Sequence, residues 1–162
     1  MPGRPRYLIT GGCGFVGSRM CQGIRTAFPD AEIIAFDNLH RRGSEINVVD
    51  LSAAGVAVVH GDIRMPADLD DIEGTFDVVI DAAAEPSVHA GTTGSPRYVI
   101  DTNLGGTVNL LEFARRRAKT FVLLSTSRVY AIDALRGIRT SEGESRLEIA
   151  PMQDLPGVGP AG

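Results

Sequence analysis

Four glycines near the amino terminus have the spacing of a phosphate-binding turn. Gly12, Gly14 and Gly17 match G-x-G-x-x-G, and Gly11 with the last two matches the overlapping G-x-x-G-x-x-G form. In such a turn one glycine permits a tight bend, one lets the backbone approach a pyrophosphate, and one lets a helix pack close to a strand. A helix that follows directs free N–H groups and its positive dipole end at the phosphates. The spacing therefore predicts a dinucleotide-binding turn.

The surrounding residues strengthen this prediction, because glycine-rich turns alone are common in α/β proteins. A short apolar run, Tyr7 to Ile9, precedes the glycines, and a helical stretch follows Gly17. Asp37 follows the next apolar run, where a carboxylate that binds the adenosine ribose is expected. A carboxylate there favours NAD, because it repels the extra phosphate of NADP. Arg41 and Arg42 could instead accommodate that phosphate, lie along the adenine or face solvent, so NADP is kept as the less favoured cofactor.

Two further groups of residues follow apolar runs and are candidates for cofactor contact. Asp62 and Ile63 could bracket the adenine, although Asp62 could equally cap a turn. Ala82, Ala83 and Ala84 are small enough to let the nicotinamide half lie against the backbone. They could equally fill a tight contact between a helix and the sheet.

The elements that must position these residues alternate between strand and helix. Strands are predicted near residues 7–9, 32–36, 56–60, 76–80 and 120–124, and helices near 15–27, 44–54, 66–71 and 95–115. This alternation predicts a doubly wound parallel sheet of the α/β class, with strand order 3-2-1-4-5. The ligand is expected in the crevice between strands 1 and 4, beyond their carboxyl ends.

Composition narrows the class of protein. The chain has 162 residues and a formal net charge of −4, which fits one ordinary globular domain. Its basic residues are scattered apart from Arg115 to Arg117, which suit a helix end, so a nucleic-acid surface is not expected. No long apolar segment or signal-peptide core is present, so we expect a cytoplasmic protein without a membrane span. Cys13 and Cys21 lack partners for a metal site and are expected to be free thiols.

Six motifs in one order carry a family resemblance. They are Thr10–Gly17, Asp37-Asn38-Leu39, Gly61-Asp62-Ile63-Arg64, Ala82-Ala83-Ala84, Asn103-x-x-Gly106-Thr107-x-Asn109-Leu110-Leu111-Glu112 and Ser125-Thr126-Ser127-x-Val129-Tyr130. Over roughly residues 6–130, the chain resembles the extended short-chain dehydrogenase/reductase family, which includes nucleotide-sugar epimerases and dehydratases. Within the family it looks most like the 2-epimerases of CDP-linked sugars. The resemblance implies a Rossmann fold, bound NAD, a nucleotide-sugar substrate and a possible homodimer.

The resemblance also implies roles for individual residues. Those expected to bind the cofactor are Gly11, Gly14, Phe15, Val16 and Gly17 at the pyrophosphate, Asp37 and Asn38 at the ribose, Asp62 and Ile63 at the adenine, and Ala82, Ala83 and Ala84 at the nicotinamide half. Thr126 takes the position of the catalytic Ser/Thr, which would hydrogen-bond the sugar oxygen at the carbon being oxidised.

The chain departs from the family pattern at its catalytic pair. The family uses Tyr-x-x-x-Lys, in which a lysine and the cofactor lower the pKa of the tyrosine so that it can act as a general base. Here Tyr130 is followed four residues later by Ala134, and the one lysine of the chain is Lys119. The family's histidine before the alanines is also replaced, by Asp81.

The tail and the missing pair leave two functions open. We expect a dinucleotide-binding domain over residues 1–130 and an irregular tail over 131–162 that leads to a missing catalytic and substrate-binding part. The chain would then be the NAD-binding portion of an epimerase or dehydratase that acts by transient hydride transfer. The alternative is a complete, non-catalytic NAD-binding or regulatory module. A truncated sheet should also expose the apolar edge of its fifth strand.

Overall fold

The protein contains two compact units. The computed structural model describes residues 4–87, 89–92, 94–126 and 132–151. The first unit is Met1–Leu124 and the second is Ser125–Gly162. Along the chain, the compact units meet at Leu124, and the domain boundary expected at residue 130 stays a prediction.

The first unit is built around a parallel sheet with helical connections. Its elements are β1 (Arg6–Thr10), α1 (Phe15–Ala27), β2 (Glu32–Asp37), α2 (Ser44–Ala53), β3 (Ala57–His60), α3 (Pro66–Asp70), β4 (Phe76–Asp81), α4 (Arg97–Ile100), a π-helical turn (Asp101–Gly106), α5 (Thr107–Arg117) and β5 (Ala118–Leu123). Within the described residues, the five strands lie in the order β3-β2-β1-β4-β5, and every neighbouring pair is parallel. This confirms the predicted doubly wound sheet.

Burial on both faces explains why the central strands are apolar without a break. In β2, Ile34 and Phe36 pack into one core with Phe113 of α5, whereas Ile33 and Ala35 pack into another. The alternation follows the pleat, which turns successive side chains to opposite faces. Burying each large side chain contributes about 2 kcal/mol, so β2 is held from both sides.

The helix expected from residue 95 to 115 is divided by the π-helical turn. The turn contains Gly105 and Gly106, and glycine weakens the preference for α-helix. Gly106 is packed so closely that a Cβ there would lie 2.4 Å from Cδ1 of Ile63. The helix backbone thus approaches the end of β3 at a point where the α-helical repeat is interrupted.

The second unit differs from the irregular tail that we expected. It contains α6 (Ile132–Arg136) and an antiparallel pair, β6 (Thr140–Glu142) and β7 (Leu147–Ile149). The backbone N–H of Gly143 donates to the carbonyl of Arg146 at 2.8 Å across the turn. These strands have three residues each and are exposed, too short to produce a sequence periodicity. Across the described ranges, no helix is long and apolar enough to cross a membrane.

Candidate functional site

A crevice of about 440 Å³ lies at the carboxyl ends of the strands in the first unit. It brings together eleven of the residues predicted to bind a cofactor, which are Gly11, Gly14, Phe15, Val16, Gly17, Asp37, Asn38, Ile63, Ala82, Ala83 and Ala84. They lie at or after the carboxyl ends of β1, β2, β3 and β4, so the crevice spans the point where the strand order reverses. Crevices of this size at this topological position are typical ligand sites.

The glycine turn allows three backbone segments to meet. Gly11 has φ +61°, and a Cβ there would lie 2.6 Å from the carbonyl oxygen of Ala82. A Cβ at Gly17 would lie 2.1 Å from the carbonyl oxygen of Gly11. Side chains at these positions would therefore separate α1 and the loop after β4 from the turn.

The amino end of α1 opens onto this crevice. Gly14 is the N-cap of α1 and provides no side-chain hydrogen bond. The first N–H groups of a helix have no partner within the helix. Since Phe15, Val16 and Gly17 line the crevice, these donors and the helix dipole can bind an anion there.

The carboxylate of Asp37 joins β2 to the glycine turn. Its Oδ2 accepts from the backbone N–H of Cys13 at 2.9 Å, and its Oδ1 accepts from Leu39 N–H at 2.8 Å. Each carboxylate oxygen can accept a further hydrogen bond. Asp37 therefore lies where the sequence places the ribose acceptor, with acceptor capacity remaining.

The two cysteines are neutral packing residues. Cys13 and Cys21 are both buried free thiols. Burial and then the nearby Asp37 raise the pKa of Cys13 to about 11. Burial is also the main reason that the pKa of Cys21 is raised to about 12. Within the described ranges no cluster of three or more His, Cys, Asp or Glu side chains is arranged for a metal ion.

Asp62 is not among the crevice-lining residues, but it holds one of them. Its carboxylate accepts from Nδ2 of Asn38 at 3.0 Å and from Nη2 of Arg64 at 2.6 Å. The hydrogen bond from Arg64 is the main reason that the pKa of Asp62 is lowered to about 2. Asp62 also accepts from the backbone N–H of Arg64, which is the bond expected if Asp62 caps a turn. A direct contact between Asp62 and adenine stays a prediction.

Asp81 positions the alanine loop. This buried carboxylate accepts from Oγ1 of Thr10 at 2.9 Å, Oγ1 of Thr107 at 3.1 Å and the N–H of Ala83 at 3.2 Å. It thereby joins β1, α5 and the loop after β4. In the sequence, Asp81 was noted only because it replaces the family's histidine before the alanines. These three hydrogen bonds could not be predicted from the sequence.

Thr102 is a site residue that the sequence analysis missed. It lines the crevice and is 7% exposed, and its Oγ1 has no hydrogen-bond partner among the described residues. A buried hydroxyl without a partner is costly, so this atom fits a ligand that supplies one. Its position next to Asn103 of the fifth motif was the available signal.

The predicted catalytic residue lies in the other unit. Thr126 is exposed and belongs to residues 125–162. Ser127, Val129 and Tyr130 of the same motif lie outside the described residues. The catalytic role of Thr126 stays a prediction.

The doubly wound sheet, with its glycine turn facing a crevice at the strand-order reversal, defines a Rossmann-type dinucleotide-binding fold. The model of the NAD dependent epimerase/dehydratase family matches residues 7–153. The chain belongs to that family, as its sequence motifs indicated.

Individual relatives agree with this assignment. The chain is 34% identical over 155 residues to CDP-paratose 2-epimerase of Salmonella typhi, covering 87% of this chain and 42% of the relative. It also resembles two solved structures. One is Helicobacter pylori ADP-L-glycero-D-manno-heptose-6-epimerase. It is 29% identical, has a TM-score of 0.66, and the match covers 79% of this chain and 41% of that chain. The other is a Streptomyces venezuelae dTDP-glucose 4,6-dehydratase double mutant with NAD bound. It is 34% identical, has a TM-score of 0.61, and the match covers 69% of this chain and 36% of that chain. The chain thus spans about two fifths of the length of these relatives.

Proposed function

We propose that this chain binds NAD and forms the cofactor-binding portion of a nucleotide-sugar epimerase or dehydratase. The observation that carries the proposal is the crevice in which the glycine turn, Asp37 and the alanine loop meet. The names of the relatives support the substrate class, because they are enzymes of CDP-, dTDP- and ADP-linked sugars.

Each part of the crevice has a proposed task. The turn from Gly11 to Gly17 holds the pyrophosphate, and Asp37 with Asn38 holds the adenosine ribose. Ile63 contacts the adenine, and the alanine loop flanks the nicotinamide half. NAD, when bound, supplies the hydride acceptor. Thr126 hydrogen-bonds the sugar hydroxyl in the proposed reaction.

Asp37 favours NAD over NADP in this proposal. Its carboxylate lies at the end of β2 and, among the described residues, accepts from two backbone N–H groups and forms no ion pair, so no cation neutralises it directly. A ribose 2′-phosphate brought next to it would be repelled. Arg41 lines the same crevice and is the residue by which NADP could compete.

Calorimetric titration of the chain with NAD⁺ and NADP⁺ tests this proposal. We expect NAD⁺ to bind at least about tenfold more tightly, as one repulsive contact of about 1.4 kcal/mol would produce. Asp37→Asn should reduce that ratio, whereas Asp50→Asn, at an exposed site on α2, should leave it unchanged. The ratio is informative even if a variant is less stable. Folded protein that binds neither nucleotide, or prefers NADP⁺, would contradict the proposal.

A second function, NAD binding without catalysis, is favoured by one observation. The chain's one lysine, Lys119, lies near the amino end of β5, and its Nζ is 2.7 Å from the Asp77 carboxylate. The crevice lies at the opposite, carboxyl ends of the strands, so Lys119 cannot assist a tyrosine there. Incubation of the chain with NAD⁺ and CDP- or dTDP-linked sugars tests this second function, because turnover of any of these sugars would contradict it.

A further inference from the structure

An aromatic side chain links three connections around the crevice. Tyr98 lies on α4, which follows β4, and its ring centroid is 5.3 Å from that of His40, which follows β2. The guanidinium carbon of Arg64, which follows β3, lies 4.9 Å from the centre of the same ring. Both His40 and Tyr98 line the crevice. We call these three residues the aromatic clasp.

The strand order places the clasp on one side of the crevice. The ends of β2 and β3 lie on one side of β1, and β4 lies on the other. Tyr98 comes from the connection after β4 but contacts residues after β2 and β3. Its ring is therefore on the side of Asp37 and Ile63, which in the proposed function holds the adenosine half.

The Tyr98 ring packs against Arg64, which is itself held by hydrogen bonds to Asp62. Nε and Nη2 of Arg64 both donate to the Asp62 carboxylate, at 3.0 and 2.6 Å. A guanidinium held in this way and placed over an aromatic face is attracted by the ring electrons. The same carboxylate holds Asn38, so the ring and a crevice-lining amide share one support.

We propose that Tyr98 is a binding residue for the adenine base of the dinucleotide. The ring is partly exposed and lines the crevice, and an aromatic ring is a partner on which adenine stacks. The phosphates have their own partner in the N–H groups of α1. The proposal rests on the proposed function, since it assigns one half of the same ligand.

The test compares ligands and variants of the whole chain. Tyr98→Leu should weaken NAD⁺ and ADP-ribose about ten- to a hundredfold by calorimetry, the range found when a base loses an aromatic partner. Tyr98→Phe keeps the ring and should stay within about threefold of the original protein, since an aromatic face is retained. Phe28→Leu removes a half-exposed ring at the end of α1, away from the crevice, and should change neither affinity.

A competition experiment locates the effect on the ligand. AMP should displace NAD⁺ from the original protein, and Tyr98→Leu should weaken AMP and NAD⁺ by the same factor. Unchanged NAD⁺ affinity in Tyr98→Leu, AMP that fails to compete, or loss of NAD⁺ with AMP retained would each overturn the assignment of Tyr98 to adenine. If the original protein bound no nucleotide, the proposed function itself would fail, which is a different result.

Discussion

Strands β2 and β5 belong to one sheet but have opposite surroundings. Five of the six residues of β2 are buried, whereas none of the six residues of β5 is. Leu123 of β5 is 47% exposed, and Leu104 and Val108 on the neighbouring helical segment are 64% and 50% exposed. The expectation of an exposed apolar fifth strand is therefore met.

The difference shows where this fold is held together. β2 is covered on both faces and ends at Asp37, beside the glycine turn. In the described residues, β5 pairs only with β4 and has no strand on its other side. The crevice thus lies in the well-packed part of the sheet, whereas the edge formed by β5 leaves apolar side chains in water.

The largest effect should come from the glycine turn. Gly17→Ala places a Cβ against the Gly11 carbonyl and should lower the free energy of unfolding by at least about 3 kcal/mol. Gly23→Ala makes the same change on the same helix, where the new Cβ would meet no atom within 4 Å apart from its chain neighbours and the local helix backbone, and should raise stability by about 0.5 to 1 kcal/mol. Chemical denaturation measures both. Equal stability of the two variants would mean that the close approach at Gly17 is not a constraint.

A pair of truncations compares the two strands directly. Ile33→Ala, at a position 1% exposed in β2, should cost about 3 kcal/mol. Leu123→Ala in β5 should cost less than about 1 kcal/mol, because that side chain is already half in water. Sedimentation adds a second measurement: because exposed apolar side chains favour association, we expect the chain to self-associate, and Leu123→Lys to reduce this while leaving the unfolding midpoint nearly unchanged. A large loss of stability in Leu123→Ala would remove the distinction between the strands.

An effect smaller than those of Gly17→Ala and Ile33→Ala should depend on acid and should come from Asp62, which holds Asn38 at the crevice. The pKa of Asp62 falls from 3.8 to about 2 on folding, so its stabilisation is complete above about pH 4 and is lost as the pH falls through about 2. Asp62→Asn should cost about 1 to 2 kcal/mol at neutral pH, allowing for solvent around Arg64, and less at about pH 3. Lys119→Met on β5 removes an exposed ion pair and should leave the melting temperature unchanged. A cost of Asp62→Asn that does not depend on pH would point to lost packing instead.

The sequence was sufficient for the sheet because its signals are local. Apolar runs such as Ile33 to Phe36 alternate with helical stretches, and that alternation predicts the strand order. The glycine spacing and Asp37 likewise located the crevice. These features depend on neighbours along the chain, so they could be read without coordinates.

The missed features depend on contacts between distant residues. The unpartnered hydroxyl of Thr102, the three bonds of Asp81 and the ring of Tyr98 against Arg64 each need several elements to be in place. The π-helical turn was missed because Gly106 packs against Ile63, which lies on the connection after β3 and is distant in the sequence. The hairpin of the second unit was too short for a periodic signal.

The carboxylate of Asp37 has a consequence for redesigning cofactor choice. Because it receives the N–H groups of Cys13 and Leu39, it supports the loop geometry as well as facing the crevice. A single substitution aimed at accepting NADP would therefore leave backbone donors without an acceptor: one of the two with asparagine, which keeps one oxygen, and both with alanine. We therefore expect variants of this chain that are selected for NADP use to carry a second change near Cys13 that restores a partner for these donors.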